Sequence, residues 1–194
     1  NPGGVELWNG IRGIDLLTER PEVDNEKIGV TGGSGGGAQS WYLPAVDPRN
    51  KAAAPVCGSS TLKAQVAIRS INWHCDCMMP INTWLWDFQD IGALVAPRPF
   101  LIVQADKDGC NQIKSVRRLH TDLDKIYSLY GKPDNNRLFE YPGKHGTQLS
   151  VRKTIFSFFL ENLKGELISP EDAGDIDQSP EHRLTGDELK AYTD

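Results

Sequence analysis

The stretch from Lys27 to Trp41 contains residues whose types and spacing could carry chemistry. It reads KIGVTGGSGGGAQSW: an apolar run typical of a strand, a cluster of glycines and then a helix-like segment. A glycine-rich turn between a strand and a helix has two well-known uses. It can expose a reactive serine, which here would be Ser34, or it can hold a phosphate group with its backbone amides.

Residues 32–36, GGSGG, satisfy the G-x-S-x-G pattern of a nucleophile turn. Glycines are required because the serine backbone is strained, and because side chains two residues before or after it would collide with neighbouring elements. Such a turn exposes the Ser34 hydroxyl at the carboxyl end of a sheet. It also directs the N–H of Gly35 towards the position where an oxyanion would form. The pattern therefore predicts a serine nucleophile and half of an oxyanion hole.

The phosphate alternative uses the same turn, since Gly33, Gly35 and Ala38 fit the dinucleotide pattern G-x-G-x-x-A. That pattern also needs an acidic residue about 20 positions further on, at the end of the next strand. The next strand candidate ends in PVCGSS, which contains no carboxylate, and the G-K-[ST] of a P-loop is absent. The phosphate interpretation fails this test, so no cofactor is predicted. A purely structural glycine turn stays open as an alternative.

A serine nucleophile on this turn needs an acid and then a histidine, each in a loop after a later strand. Asp106 and Asp108 follow the apolar run PFLIVQA, although either could instead cap the next helix. His145 lies in the glycine-flanked loop PGKHGT, whereas His120 falls within a helical pattern and His182 within the tail. Chain order and loop position together predict His145 as the base and leave Asp106 and Asp108 as candidate acids.

The catalytic candidates need a scaffold that brings distant loops together. Apolar strand candidates alternate with helical periodicities along the chain, which predicts parallel βαβ units with helices on both faces of the sheet. The predicted fold class is therefore α/β, a three-layer α/β/α arrangement around a mostly parallel sheet. The predicted strands cover 27–32, 51–58, 99–106 and 136–143, and the predicted helices cover 7–17, 35–43, 88–95, 113–126 and 148–163.

Two regions do not follow this alternation. Residues 59–87 are read as irregular and are predicted to form a cap-like or lid-like insertion within a catalytic region spanning 1–163. Residues 164–194 are acidic and poor in large apolar side chains, so they are predicted to be an extended or disordered tail.

Three tryptophans in the insertion, Trp73, Trp84 and Trp86, are candidate substrate contacts. Indole rings could form a flat platform for a sugar ring, or they could fill a small satellite core. Sequence alone does not separate these alternatives.

The segment HCDC, residues 74–77, follows the second strand and so lies near the expected mouth of the site. His74 is a candidate substrate contact there, and Asp76 is a further candidate acid. One histidine and two thiols do not complete a tetrahedral metal site, so no metal is predicted.

Composition limits the classes of protein that fit this chain. With 194 residues, 39% hydrophobic and 24% charged, the chain is typical of a globular protein of about one domain. A net charge of −5 argues against a general nucleic-acid binder. No run of about 18 apolar residues occurs, so no membrane partner is predicted.

The sequence resembles the α/β-hydrolase superfamily and, within it, acetyl-xylan-esterase-like and dienelactone-hydrolase-like serine hydrolases of bacteria. The resemblance covers roughly residues 4–165 and implies that Ser34 is the nucleophile, Asp108 the acid and His145 the base. It also implies hydrolysis without a cofactor, often of carbohydrate esters and often in the periplasm or outside the cell. The segments that carry it are GVELWNGIRGIDLLTERPEVDNEKIGVTGGSGGGAQSW, WHCDCM, ALVAPRPFLIVQADKD and KHGTQLSVRKTIFSFFLENLKG.

The same resemblance implies a longer sheet than this sequence provides. In that fold the nucleophile follows the fifth strand, and one oxyanion donor lies in the loop after the third. We therefore expect the chain to correspond to the later part of the fold, with a further polypeptide segment completing it. Hydrolysis of carboxylic esters is the predicted function, with a small-molecule or carbohydrate ester as substrate. The alternatives are peptide hydrolysis and a non-catalytic module of the same fold.

Overall fold

The computed structural model describes residues 2–72, 75, 82–177 and 179–191. Within these residues no helix is both long and apolar enough to cross a membrane. The helices are α1 (Pro2–Thr18), α2 (Gly35–Val46), α3 (Leu62–Ala67), α4 (Phe88–Ala93), α5 (Ile113–Leu129) and α6 (Leu149–Phe159). The strands are β1 (Gly29–Gly33), β2 (Ala52–Val56), β3 (Phe100–Ala105) and β4 (Asn136–Tyr141).

The four strands form one parallel sheet in the order β1-β2-β3-β4. Gly29 is aligned with Ala52 at the β1–β2 ladder, and Phe100 is aligned with Asn136 at the β3–β4 ladder. Each connection contains a helix, as parallel strands require. The predicted α/β fold class, with its mostly parallel sheet, is confirmed.

Among the described residues, apolar side chains pack into a large core on each face of the sheet. Phe100 and Ile102 of β3 point to one face, and Leu101 and Val103 point to the other, because successive strand residues alternate. The first core lies under α2, α4 and α5, and the second lies under α6. The largest buried residues of the first are Trp41, Phe88, Phe100, Leu119, Leu123 and Tyr127, and those of the second include Tyr141, Val151, Ile155 and Phe158.

Helix α2 packs unusually close to the sheet, and glycine makes this possible. A Cβ atom placed on Gly37 would lie 2.5 Å from the carbonyl oxygen of Val56 and 2.7 Å from the Cα of Gly58. One on Gly32 would lie 2.6 Å from the backbone of Gly36. A Cβ on Gly36, however, meets no atom within 4 Å. The sequence predicted that a side chain two residues before or after Ser34 would collide with its neighbours. This holds for Gly32. On the helix side, the close contact is made by Gly37 and not by Gly36.

We expect Gly37→Ala to destabilise the protein by about 1–3 kcal/mol, the usual cost of overpacking a well-packed contact. The added methyl group would meet backbone atoms of the β2 end, which cannot rotate away. Thermal unfolding followed by circular dichroism would measure the effect. Gly36→Ala is the matched control, because its methyl group has open space and alanine suits a helix. Equal melting temperatures for the two variants would contradict this account.

Residues 59–87 are more regular than the sequence suggested. Helix α3 begins after Thr61, whose Oγ1 accepts the N–H of Ala64 at 3.3 Å. The prediction of a wholly irregular segment was therefore wrong for residues 62–67. A threonine cap before a short helical run was the available signal. Whether this region acts as a cap over a site stays a prediction.

The first part of the acidic tail, up to Asp175, contacts α6. Arg152 pairs with Asp175 at 2.7 Å, and the Nζ of Lys153 donates to the carbonyl of Glu171 at 3.0 Å. Before the tail, the last turn of α6 widens into a π-helical turn at Leu160–Lys164 and ends at Gly165, whose φ is +72°. These polar contacts hold an otherwise exposed segment in place.

Candidate active site

Ser34 sits on a sharp turn between β1 and α2. Its φ of 57° and ψ of −117° are strained for a residue other than glycine. The turn is fixed because the Ser34 N–H donates to the carbonyl of Val56 at 3.0 Å and the Ser34 carbonyl accepts from the N–H of Ala38 at 2.9 Å. Ser34 itself is exposed. The backbone strain thus presents this hydroxyl at the carboxyl end of the sheet, as the glycine pattern predicted.

Asp108 lies in the loop after β3, and its side chain is fully buried. Its Oδ2 accepts hydrogen bonds from the Nε2 of Gln104 and from the Nδ1 of His145, both at 2.9 Å. Its Oδ1 accepts the backbone N–H groups of Cys110 at 2.7 Å and Asn111 at 3.2 Å. Buried ionised groups are stable only when they are well paired, and these four donors meet that requirement.

The contact between Asp108 and His145 shifts the pKa of both groups. Burial by itself would raise the pKa of Asp108, but the hydrogen bonds from His145, Cys110 and Gln104 outweigh it and lower this pKa. The bond from Asp108 raises the pKa of His145, while partial burial opposes the rise. The carboxylate therefore stays ionised at neutral pH, and it stabilises the imidazolium form of His145.

Tyr141, at the end of β4, anchors the loop that carries His145. Its hydroxyl donates to the carbonyl of Gly146 and lies 3.1 Å from the Sγ of Cys57. Cys57 follows β2 with a φ of 46°. The nitrogen Nδ2 of Asn111 donates to the Cys57 carbonyl at 3.0 Å, which joins the ends of β2 and β3. The histidine loop is thus fixed by groups from three different strand ends.

Sequence reasoning missed Gln104 and Tyr141 as supporting residues. Gln104 is the one polar residue in the strand FLIVQA, and it is 1% exposed. A polar side chain inside a buried strand needs a hydrogen-bond partner. The sequence could therefore have indicated that Gln104 binds another buried polar group. The role of Tyr141 had no such signal, because a tyrosine at a strand end is common.

Ser34, Gly35 and His145 border one small pocket at the carboxyl edge of the sheet. Gly35, the first residue of α2, faces it, and a Cβ there would lie 2.5 Å from the Sγ of Cys75. The first amides of a helix lack intrahelical acceptors, which suits the expected oxyanion role of Gly35. The residues lining this pocket are Ser34, Gly35, Cys57, Cys75, Cys110, Asn111 and His145.

Asp106, the alternative acid, makes a different contact. Its Oδ1 accepts the N–H of Gly143 at 2.8 Å and so fixes the start of the histidine loop. Between the two aspartates of this loop, the structure gives Asp108 the bond to the His145 ring.

The tryptophan candidates do not group together among the described residues. Trp84 is 88% exposed. Trp86 packs against the first core, with its ring centroid 6.3 Å from that of Phe88. Trp73, His74 and Asp76 lie outside the described residues, so the proposed sugar platform, substrate contact and further acid stay predictions there.

Comparison with solved structures identifies the architecture. The chain superposes on Methylesterase BT1017 with a TM-score of 0.68 and 27% identity, covering 88% of this chain and 38% of that one. It superposes on a carbohydrate esterase family 15 (CE15) glucuronoyl esterase from Caldicellulosiruptor kristjansonii with a TM-score of 0.66 and 21% identity, covering 86% of this chain and 51% of that one. The chain has an α/β-hydrolase fold. A glucuronoyl esterase from Solibacter usitatus gives a TM-score of 0.67 at 18% identity, with 79% of this chain and 46% of that one covered.

Among curated proteins, the chain is similar to YtaP of Bacillus subtilis (strain 168), which carries a provisional hydrolase name. The two are 22% identical over 161 residues, which is 82% of this chain and 54% of YtaP. No protein-family model matches the chain. The chain therefore spans about half the length of this curated relative, and less than two fifths of the methylesterase.

Proposed function

We propose that this chain contains the catalytic centre of a serine hydrolase that cleaves carboxylic esters of carbohydrates. The observation that carries the proposal is the arrangement of three loops at one sheet edge. Ser34 and His145 border one pocket, and the buried carboxylate of Asp108 lies 2.9 Å from the His145 Nδ1. The names of the solved neighbours, a methylesterase and glucuronoyl esterases, support an ester of a sugar or sugar acid as substrate.

In the proposed mechanism, the Ser34 Oγ attacks the ester carbonyl while the Nε2 of His145 accepts the hydroxyl proton. Asp108 holds the imidazole through Nδ1 and stabilises the positive charge that forms on the ring. The Gly35 N–H donates to the developing oxyanion. His145 then returns the proton to the leaving alcohol, which leaves an acyl group on Ser34. A water molecule activated by His145 hydrolyses this intermediate.

We further propose that an additional polypeptide segment pairs with the open edge of β1. This strand is terminal in the sheet, and its residues alternate between exposed and half-buried, whereas all of β2 and β3 is buried. An open parallel edge presents unpaired backbone groups that another strand can use. A segment there would lie beside the Ser34 turn and could supply the second oxyanion donor. Losing one such donor costs about 10²–10³-fold in rate.

Intact-mass labelling with a fluorophosphonate probe tests the proposed nucleophile. We expect the wild-type chain to gain one adduct and Ser34→Ala to gain none, because the probe reacts with a serine activated by a neighbouring base. Ser40→Ala is a matched control, since its Oγ is buried and donates to the Gly36 carbonyl at 2.8 Å. A folded wild-type chain that takes no adduct would favour a non-catalytic module.

A further inference from the structure

Three potential metal ligands from three separate loops meet beside the pocket. The Sγ of Cys57, a carboxylate oxygen of Asp108 and a ring nitrogen of His145 all lie within 4.8 Å of one another. Cys57 and Asp108 are buried and His145 is half-buried. The sequence suggested no such site, because its only visible metal pattern was HCDC at 74–77.

We propose that Cys57, Asp108 and His145 form a binding site for a thiophilic divalent cation such as Zn²⁺, and that the bound cation switches the hydrolase off. The binding site stands on geometry alone, while the switching rests on the proposed function. Thiolate, imidazole and carboxylate together are a set of ligands that zinc favours, and they leave a fourth position open.

The spacing of the three groups suits a tetrahedral ion. Zinc lies about 2.3 Å from sulfur and about 2.0–2.2 Å from nitrogen or oxygen, so its ligand atoms lie roughly 3.3–3.8 Å apart. Asp108 and His145 already approach to 2.9 Å. Only modest shifts of these two groups and of the Cys57 thiol would therefore admit the ion.

Charge balance also favours a cation here. A thiolate on Cys57 and the carboxylate of Asp108 together neutralise a divalent ion, and buried sites favour such neutral sets. Binding would release one proton from the Cys57 thiol to solvent. The Nε2 of Gln104 already donates to the Asp108 carboxylate. This contact would orient that ligand, as outer groups do in known metal sites.

The inhibitory effect follows from the tautomer of the histidine. A cation held between Asp108 and the ring would occupy the Nδ1 of His145, the nitrogen that faces the carboxylate. The ring proton would then move to Nε2. That nitrogen could no longer accept the Ser34 proton, so the base would be lost while the fold remained.

A single-thiol variant isolates the proposed sulfur ligand. Replacing Cys75, Cys77 and Cys110 with serine leaves Cys57 as the one remaining thiol of the four. We expect this variant, once shown to be folded by circular dichroism, to bind one Cd²⁺ and to develop the ultraviolet charge-transfer band of a cadmium–thiolate bond. Adding Cys57→Ser should remove the band.

Substitution of Asp108 and His145 distinguishes a three-ligand site from adventitious binding of Cd²⁺ to the Cys57 thiol alone. On the single-thiol background, His145→Ala and Asp108→Asn should each weaken Cd²⁺ binding at least tenfold, whereas Asp106→Asn should not. A folded single-thiol variant without the band would overturn the metal site. The metal site would also be overturned if His145→Ala and Asp108→Asn both bound Cd²⁺ with unchanged affinity.

Probe labelling then tests the switch separately from the site. Cd²⁺ should slow fluorophosphonate labelling of wild-type Ser34, and a chelator should restore it. Unchanged labelling with Cd²⁺ bound would overturn the switch but leave the site. A chain that never labels would instead overturn the proposed function, while the charge-transfer band still decides the metal site.

Discussion

Replacing His145 with alanine should lower kcat for ester hydrolysis by about 10⁶-fold, the loss that follows removal of the base from a serine triad. Without the imidazole, the described residues that line the pocket include no other histidine and no carboxylate to accept the Ser34 hydroxyl proton. Stopped-time assays with an activated ester, such as a nitrophenyl acetate, would measure the loss. Ser34→Ala should cost a similar factor.

The double variant gives a sharper result than either single change. Because nucleophile and base act as one unit, Ser34→Ala combined with His145→Ala should be no slower than either alone. His182→Ala is the matched histidine control. This tail residue is exposed and contacts Ser179 and Asp177, so its loss should leave kcat unchanged within about twofold. Additive losses in the double variant would contradict a shared role.

Replacing Asp108 with asparagine should lower kcat by about 10⁴-fold, although the two side chains have nearly the same shape. An amide cannot stabilise the imidazolium form of His145, and its N–H₂ group can hold the wrong tautomer. Asp106→Asn is the matched control, since its remaining oxygen can still accept the Gly143 N–H. Equal losses in the two variants would contradict the assignment of the acid.

The pH profile of kcat/KM gives the same prediction a second readout. The base must be neutral to act, so activity should fall as pH drops through the pKa of His145. In the wild type this midpoint should lie above the ordinary histidine value of 6.5, because the bond from Asp108 raises it. In Asp108→Asn the midpoint should move to lower pH. A midpoint that does not move would show that the two groups are not coupled.

Asp108 and His145 would have a second role in metal binding. A site that binds a proton between Asp108 and His145 offers a cation the same two ligand atoms, and Cys57 adds a third. Catalysis and inhibition would then compete for one nitrogen, the Nδ1 of His145.

The order of the helices and strands could be predicted from the sequence without the structure. Apolar runs at 51–58 and 99–106 predicted strands, and the structure has β2 and β3 there. Hydrophobic periodicity predicts such strands because strand and helix repeats are local properties of the chain. The position of Ser34 between a strand and a helix followed in the same way from the glycines around it.

Tertiary structure alone decided which groups meet. Asp106 and Asp108 are equivalent in sequence, and only the path of their loop gives one of them the bond to His145. The close glycine at Gly37 and the anchoring role of Tyr141 depend on distances between elements far apart in the chain. Residues so distant in sequence become neighbours only when the parallel sheet brings the carboxyl ends of its strands to one edge. No local sequence pattern predicts which of these distant residues become neighbours.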